Sequence, residues 1–229
     1  MKSIKVHELV NKLTLLSLFL LYSDLISACL FTISCNSYIP TVSYMGTFRV
    51  HDLALVMAIV VQGFSLFITF ISYHCSLDFQ LSNDDQYFMI ILEIAQILLA
   101  ITCTIIDESS GLDFNPVDDV HRFVTFALMC CSFTWVYFAL KFFNQNRLSE
   151  DEVIQYNICW TIYTVEVILV LYTIAQWVLA YTTYNNFFFN HAAESIFEWA
   201  SITVAIRFPY HLCRVMGTEI KFVLNKKDN

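Results

Sequence analysis

The chain has 229 residues, of which 58% are hydrophobic and only 14% are charged, and it holds four glycines and three prolines. Soluble domains are not built from such a composition, so the sequence predicts a membrane protein. The net charge is −8, but the acidic residues are divided between short loops and apolar segments and form no acidic tail, so we expect no binding to nucleic acid.

Six apolar segments of about 20 residues predict transmembrane helices. In chain order they are residues 13–34, 53–73, 87–106, 120–143, 157–181 and 193–213. The first follows a basic lead-in, as in a signal peptide, but it is too long for the apolar part of one and contains Asp24, so we expect it to be retained. Asp24 needs an internal partner such as Gln62, or a water-filled cavity. The expected fold is all-α, with residues 1–229 forming one six-span membrane bundle.

The lysines and arginines that flank these segments predict the orientation of the bundle. With the N-terminus in the cytosol, the cytosolic side holds nine basic residues and the opposite side holds only Arg49 and Arg122. Because cytosolic flanks are enriched in basic residues, we expect the N-terminus to be cytosolic. Six spans then place the C-terminus in the cytosol as well.

The chain ends in "NKKDN", in which Lys226 and Lys227 resemble a dilysine retrieval signal. Such a signal is read by coat proteins on a cytosolic tail and returns membrane proteins to the endoplasmic reticulum. The tail therefore predicts residence in the endoplasmic reticulum membrane, with or without cycling through the Golgi. The alternative is a basic tail that contacts anionic lipid.

The segment "ESIFEWASITVAIRFPYHL" carries charges at membrane depth, where charge is unfavourable without a partner. On a helix, Glu194 and Glu198 share one face, whereas Arg207 is rotated by about 180° from Glu198 and lies roughly 13 Å further along the axis. Arg207 therefore needs a partner on another helix. Its depth predicts Glu93 or Glu166, and the alternative is that one of these acids is protonated.

Polar residues also gather at the predicted lumenal ends of three helices. They are His51, Asp52, His121, Arg122, Glu194 and Glu198. Such a set predicts a pocket for a lipid headgroup, in which Arg122 suits a phosphate and the carboxylates suit amines or sugar hydroxyls. For His51, Asp52 and Glu194 we favour contact with water in the headgroup zone. Glu198 and His121 are the members expected to be functional.

Catalytic and metal-binding signatures are missing from the sequence. It has no G-x-S-x-G, no H-E-x-x-H, no H-x-x-x-x-D and no glycine-rich phosphate loop. The eight cysteines form no CxxC pair or zinc-type spacing, and most lie in apolar segments, where cysteine acts as a small hydrophobic residue. We therefore expect no enzyme activity, no cofactor, no metal and no disulfide framework.

Four segments resemble a known family when taken in order. They are "YIPTVSYMGT" after the first span, "LEIAQILLAITCTIIDESS" in the third, "VDDVHRF" before the fourth and "IFEWASI" in the last. The first resembles the P-x-[IV]-S-x-x-G loop of the FRAG/DRAM/Sfk group of six-span membrane proteins, and the set is most similar to the post-GPI-attachment factor 2 family. The family-matching positions are Pro40, Ser43, Glu93, His121 and Glu198.

This resemblance implies a role in remodelling the fatty acids of glycosylphosphatidylinositol anchors within endomembranes. The expected function is a lipid-handling factor that binds a phospholipid or anchor headgroup at a lumenal pocket. One alternative is a non-catalytic adaptor subunit of a larger lipid-transfer complex of the endoplasmic reticulum, with Asp24, Glu166 or Arg207 facing a partner helix. A second is an intramembrane acyltransferase that uses His121 and Glu198.

Overall fold

The computed structural model describes six helices and two short strands. The described residues are 2–31, 35, 39–40, 42, 45, 49–76, 82–106, 116–143, 148–183, 191–217 and 219–222. The helices are α1 (Val6–Phe31), α2 (Arg49–Ser76), α3 (Asn83–Ile105), α4 (Pro116–Lys141), α5 (Glu150–Thr183) and α6 (His191–Met216). Each predicted span falls on one of these helices. Five of them, α1 to α5, are long and apolar enough to cross a membrane.

Two four-residue strands lie outside the helices, which the all-α prediction did not include. β1 (Lys2–Lys5) and β2 (Glu219–Phe222) pair antiparallel, with Lys2 opposite Phe222 and Lys5 opposite Glu219. β1 runs directly into α1, and Gly217, with φ of 61°, ends α6 just before β2. Glycine adopts this left-handed conformation without strain. We call the end of the bundle that carries both strands the termini end, and the opposite end the loop end.

α6 is the most enclosed helix of the bundle. It packs against α1, α2 and α5. Between residues 195 and 216 only Ile196 and Ala205 have exposed side chains. Since protein surrounds most of this helix, it can hold Glu198, Arg207 and Arg214, which lower its hydropathy below that of the other five.

α1 packs on its neighbours through a stripe of small and polar side chains. The buried residues are Val6, Val10, Thr14, Ser17, Leu21, Asp24 and Ala28. Steps of three and four residues place them on one helix face. The Ser17 hydroxyl donates to the Ala58 carbonyl of α2 (3.0 Å). Small residues at this face let two membrane helices approach closely.

Aromatic side chains pack the bundle near the termini end. The rings of Phe70 in α2 and Trp135 in α4 lie 4.8 Å apart. The Tyr73 hydroxyl donates to the Ala139 carbonyl (3.3 Å), and the Tyr156 hydroxyl of α5 donates to a neighbouring carbonyl of α4 (3.1 Å). Each buried hydroxyl therefore has an acceptor, and the cluster ties α2 to α5 through α4.

Candidate functional site

At the loop end, the segment that follows α1 is bonded to the second turn of α6. The Trp199 indole N–H donates to the Pro40 carbonyl (2.8 Å), and the Glu198 carboxylate accepts from the Val42 backbone N–H (3.3 Å). Pro40, Val42 and Met45 are buried. We call Pro40, Val42, Glu198 and Trp199 the Glu198 site. It unites two of the family-matching positions, Pro40 and Glu198, whereas Ser43 lies outside the described residues.

Trp199 anchors this contact. Its side chain is only 6% exposed, and its ring lies 5.3 Å from that of Tyr22 on α1. The Tyr22 hydroxyl in turn bonds to that of Thr203 (2.6 Å). A buried indole N–H needs an acceptor, and the Pro40 carbonyl supplies one. The α1–α6 interface therefore fixes where the loop lies.

A disulfide between Cys29 and Cys35 joins the end of α1 to the same segment. The sequence analysis expected no disulfide framework, and it did not predict this single bond. The two cysteines lie near the end of the first apolar span. Two cysteines in such a position do not by themselves predict a disulfide. The bond closes a short loop just before Pro40, which restricts the segment even when it is not seated on α6.

His121 and Arg122 lie on α4, and both are half-buried. His121 Nδ1 lies within hydrogen-bonding distance of the Ile106 carbonyl, which follows α3. α4 packs against α3 and α5, whereas α6 packs against α1, α2 and α5. The described contact of His121 is with Ile106 after α3, and that of Glu198 is with Val42 after α1. Their grouping in one pocket stays a prediction, and the side chains of His51, Asp52 and Glu194 lie outside the described part of the chain.

The predicted pairing of Arg207 with Glu93 or Glu166 is wrong. Arg207 Nη1 donates to Asn11 Oδ1 (3.0 Å) and to Thr14 Oγ1 (2.8 Å), both on α1. The partners are neutral. A polar pair three residues apart near the start of α1 was the sequence signal that could have revealed them.

The direction of each α6 side chain explains the error. Ser201 faces α5, where its hydroxyl donates to Glu166, and Arg207 is rotated by about 120° from Ser201. Thr203 faces Tyr22 on α1, and it lies only about 40° from Arg207. Arg207 therefore points towards α1 and away from α5.

Glu93 is paired across three helices. It is 8% exposed, and its carboxylate lies 3.0 Å from His74 Nε2 of α2 and accepts from the Trp135 indole N–H of α4 (2.9 Å). One turn further, Gln96 Oε1 accepts from the Ser132 hydroxyl (3.0 Å). The sequence analysis missed His74, whose position near the end of the second span matches Glu93 in depth.

Glu166 and Asp24 are both buried, with exposures of 6% and 7%. Within the described residues, the Oε1 atom of Glu166 has no hydrogen-bond partner, while Oε2 accepts from Ser201. Asp24 lies on the α1 stripe, and its pairing with Gln62 stays a prediction. Lys226 and Lys227 fall outside the described residues.

No protein-family model matches the chain, and neither a curated protein nor a solved structure matches it. The resemblance to the FRAG/DRAM/Sfk group therefore remains a prediction that rests on the four segments. The contact between Glu198 and the segment at Pro40 is a separate observation, because it comes from the structure and not from the motifs.

Proposed function

We propose that the protein is a lipid-handling factor of the endoplasmic reticulum membrane that binds a phospholipid or glycosylphosphatidylinositol headgroup at the lumenal end of its bundle. The observation that carries the proposal is the Glu198 site, in which two hydrogen bonds join the segment at Pro40 and Val42 to α6, while the Cys29–Cys35 disulfide joins the start of this segment to α1. The half-buried carboxylate of Glu198 is held at the bundle end by the Val42 N–H. A preorganised carboxylate there suits a headgroup amine or hydroxyl.

The pairing of β1 with β2 supports six crossings of the membrane. The two strands hydrogen-bond to each other, so both lie on the same side of the bilayer. An even number of crossings must then connect them. α1 to α5 supply five by length and composition, and α6 supplies the sixth, enclosed by its neighbours.

The disulfide supports the orientation. Cys29 and Cys35 lie at the loop end, opposite the strands. Disulfides persist in the lumen and outside the cell and are rare in the cytosol. The loop end is then lumenal and the termini end cytosolic, in agreement with the distribution of lysine and arginine. On this arrangement Lys226 and Lys227 reach coat proteins in the cytosol.

The first test is lipid retention by the Glu198→Gln variant. The full chain is purified from its native membranes in mild detergent, and the co-purifying lipids and proteins are quantified by mass spectrometry. We expect Glu198→Gln to lose about tenfold of one retained phospholipid or anchor lipid, since a charge-assisted hydrogen bond contributes about 1.5–3 kcal/mol. Glu8→Gln is the matched control, because Glu8 is an exposed acid at the other end of the bundle.

Two other results would decide against the proposal. Equal lipid retention by Glu198→Gln and Glu8→Gln would remove the Glu198 site from lipid binding. A stoichiometric large protein partner without a retained lipid would favour the adaptor subunit instead. A His121→Ala variant then tests the wider pocket: a loss that matches that of Glu198→Gln would place both residues at one headgroup.

A further inference from the structure

Arg207 is a half-buried cation in the cytosolic half of α6 with only neutral partners. Its Nη1 donates to Asn11 and Thr14, and its guanidinium lies 4.6 Å from the centre of the Tyr210 ring. Within the described ranges, the ion pair is that of His74 with Glu93, and Arg207 takes part in none. A guanidinium at membrane depth without an anion is unfavourable, so it calls for an anionic ligand.

The Arg207 guanidinium has N–H donors that the described hydrogen bonds do not use. It carries five N–H groups in a planar fork, and the described hydrogen bonds use only those of Nη1. Nε and Nη2 present the remaining three. That geometry matches two oxygens of a phosphate, and arginine binds phosphate in this bidentate way. Asn11, Thr14 and Tyr210 fix the fork in place and so reduce the entropy lost on binding.

Two further groups lie on the same face of α6, towards the termini end. Arg214 comes seven residues after Arg207 and is rotated from it by about 20°. It is half-buried and makes no hydrogen bond or ion pair with the residues that the structure describes. His211 lies between them in the sequence, and its Nδ1 donates to Gln155 Oε1 of α5 (2.9 Å). Arg207 and Arg214 form a basic face.

The acids nearby do not neutralise this face. Glu152 of α5 accepts from the backbone N–H and the hydroxyl of Ser149 (2.7 and 2.8 Å), so Oε2 is already used at the start of its own helix. Glu8 lies in the first turn of α1 and is exposed. Neither forms an ion pair with Arg207 or Arg214 in the described structure.

Apolar side chains continue from the basic face towards the centre of the bilayer. Leu15, one turn beyond Asn11 on α1, is 50% exposed, and Phe19 is 67% exposed. They lie next to the α1–α6 interface that holds Arg207, on the outer face of the bundle. A cation beside an exposed apolar stripe matches the chemistry of a phospholipid, whose phosphate and acyl chains need both.

We propose that Arg207 and Arg214 bind the phosphate of an anionic phospholipid in the leaflet at the termini end, with its acyl chains along Leu15 and Phe19. This site shares no residue with the Glu198 site and lies at the other end of α6. A test of this site therefore gives a result that does not depend on the headgroup pocket. The protein then contacts one lipid in each leaflet.

The test measures how much dioleoyl phosphatidic acid the purified full chain retains, by native mass spectrometry, with dioleoyl phosphatidylcholine as the zwitterionic comparison. We expect Arg207→Gln to lower retention of phosphatidic acid about tenfold and Arg214→Gln about fivefold, because each basic side chain near anionic lipid contributes about 1 kcal/mol or more. Lys12→Gln, which removes an exposed charge from α1, should change it less than about twofold.

Each other outcome decides against the site. Retention by Arg207→Gln and Arg214→Gln within twofold of Lys12→Gln overturns the proposal. If Arg207→Gln does not elute as a folded protein, Arg214→Gln decides alone, since Arg214 makes no bond in the described structure whose loss would unfold it. Glycerol phosphate that displaces phosphatidic acid at equal concentration would assign the site to a soluble phosphate and not to a lipid.

Discussion

At the residue scale, Glu93, Glu166 and the half-buried Arg207, all in the half of the bundle near the termini end, have separate local partners instead of one shared ion-pair network. Glu93 binds His74 and Trp135, Arg207 binds α1, and Glu166 binds Ser201. The described partners of each group thus lie at a different helix interface, although Glu166 Oε1 has none among the described residues and the partners of Arg207 are neutral. Mutation of any one should therefore act locally, with effects that add for distant pairs.

Glu93→Gln should destabilise the protein by about 1.5–3 kcal/mol, because a neutral amide cannot accept charge-assisted bonds from His74 and Trp135 together. For a chain of this size that corresponds to a fall of roughly 5 °C or more in the thermal unfolding midpoint in detergent. Glu150→Gln, which changes an exposed acid in the first turn of α5, should change the free energy by less than about 1 kcal/mol. Equal midpoints for the two variants would contradict the pairing.

The sequence predicted which charged residues lie within the apolar spans, but it did not predict which residues they contact. A helical wheel gives the angle between Glu198 and Arg207 on their own axis, and it says nothing about which helix stands at that angle. Depth alone favoured Glu93 and Glu166 as partners of Arg207. The helix at that angle is α1, and its Asn11 and Thr14 are neutral. A search for acidic partners of Arg207 therefore does not find them.

At the element scale, the loop after α1 is tied down at both of its sides: covalently at Cys29–Cys35 and by hydrogen bonds at α6. This arrangement makes the loop part of the bundle. The two contributions are independent. The disulfide restricts the segment when it is not in contact with α6, whereas the hydrogen bonds stabilise the segment when it is in contact with α6.

Cys29→Ser should loosen this loop and expose the chain around Arg49 to trypsin. Closing a loop of this length contributes about 2 kcal/mol, so the open population should rise about tenfold or more. The measurement is the rate of cleavage after Arg49 in detergent-solubilised protein. Cys75→Ser, which removes an exposed free thiol from α2, is the control. A cleavage rate equal to that of Cys75→Ser would show that the disulfide does not hold the loop.

The helices themselves could be predicted from apolar length, because every one of them buries or exposes a continuous apolar stretch. Their bounds could not: α5 runs from Glu150 to Thr183, beyond the expected 157–181, since the polar turns outside the hydrocarbon layer carry no hydropathy signal. The same limit hid the two strands, which are too short to show an alternating pattern. The loop contact with α6 was invisible for another reason, since it joins residues 156 positions apart.

At the scale of the whole molecule, an enclosed α6 is surrounded by helices that face lipid. Exposed apolar side chains such as Leu53, Ile91 and Leu171 cover α2, α3 and α5, whereas α6 exposes two side chains between residues 195 and 216. Apolar side chains are needed where a helix faces lipid, so an enclosed helix such as α6 can have a low mean hydropathy. This explains why composition singles out five helices where the strand pairing favours six crossings.

Tags placed at the two termini should both be reached by antibody when only the plasma membrane is permeabilised. This follows from the pairing of β1 with β2, which places both on one side, and from the disulfide at the other. A tag inserted after Cys35 should be reached only after all membranes are opened. Terminal tags that become accessible under different conditions would contradict six crossings.

The pairing of β1 with β2 also sets an order for assembly. β1 is synthesised before the six helices and β2 after them. β1 therefore cannot form its hydrogen bonds with β2 until α6 has packed into the bundle. A chain stalled before that moment keeps an open strand edge at the termini end. Formation of the two-stranded sheet therefore indicates that the helical bundle has already been assembled.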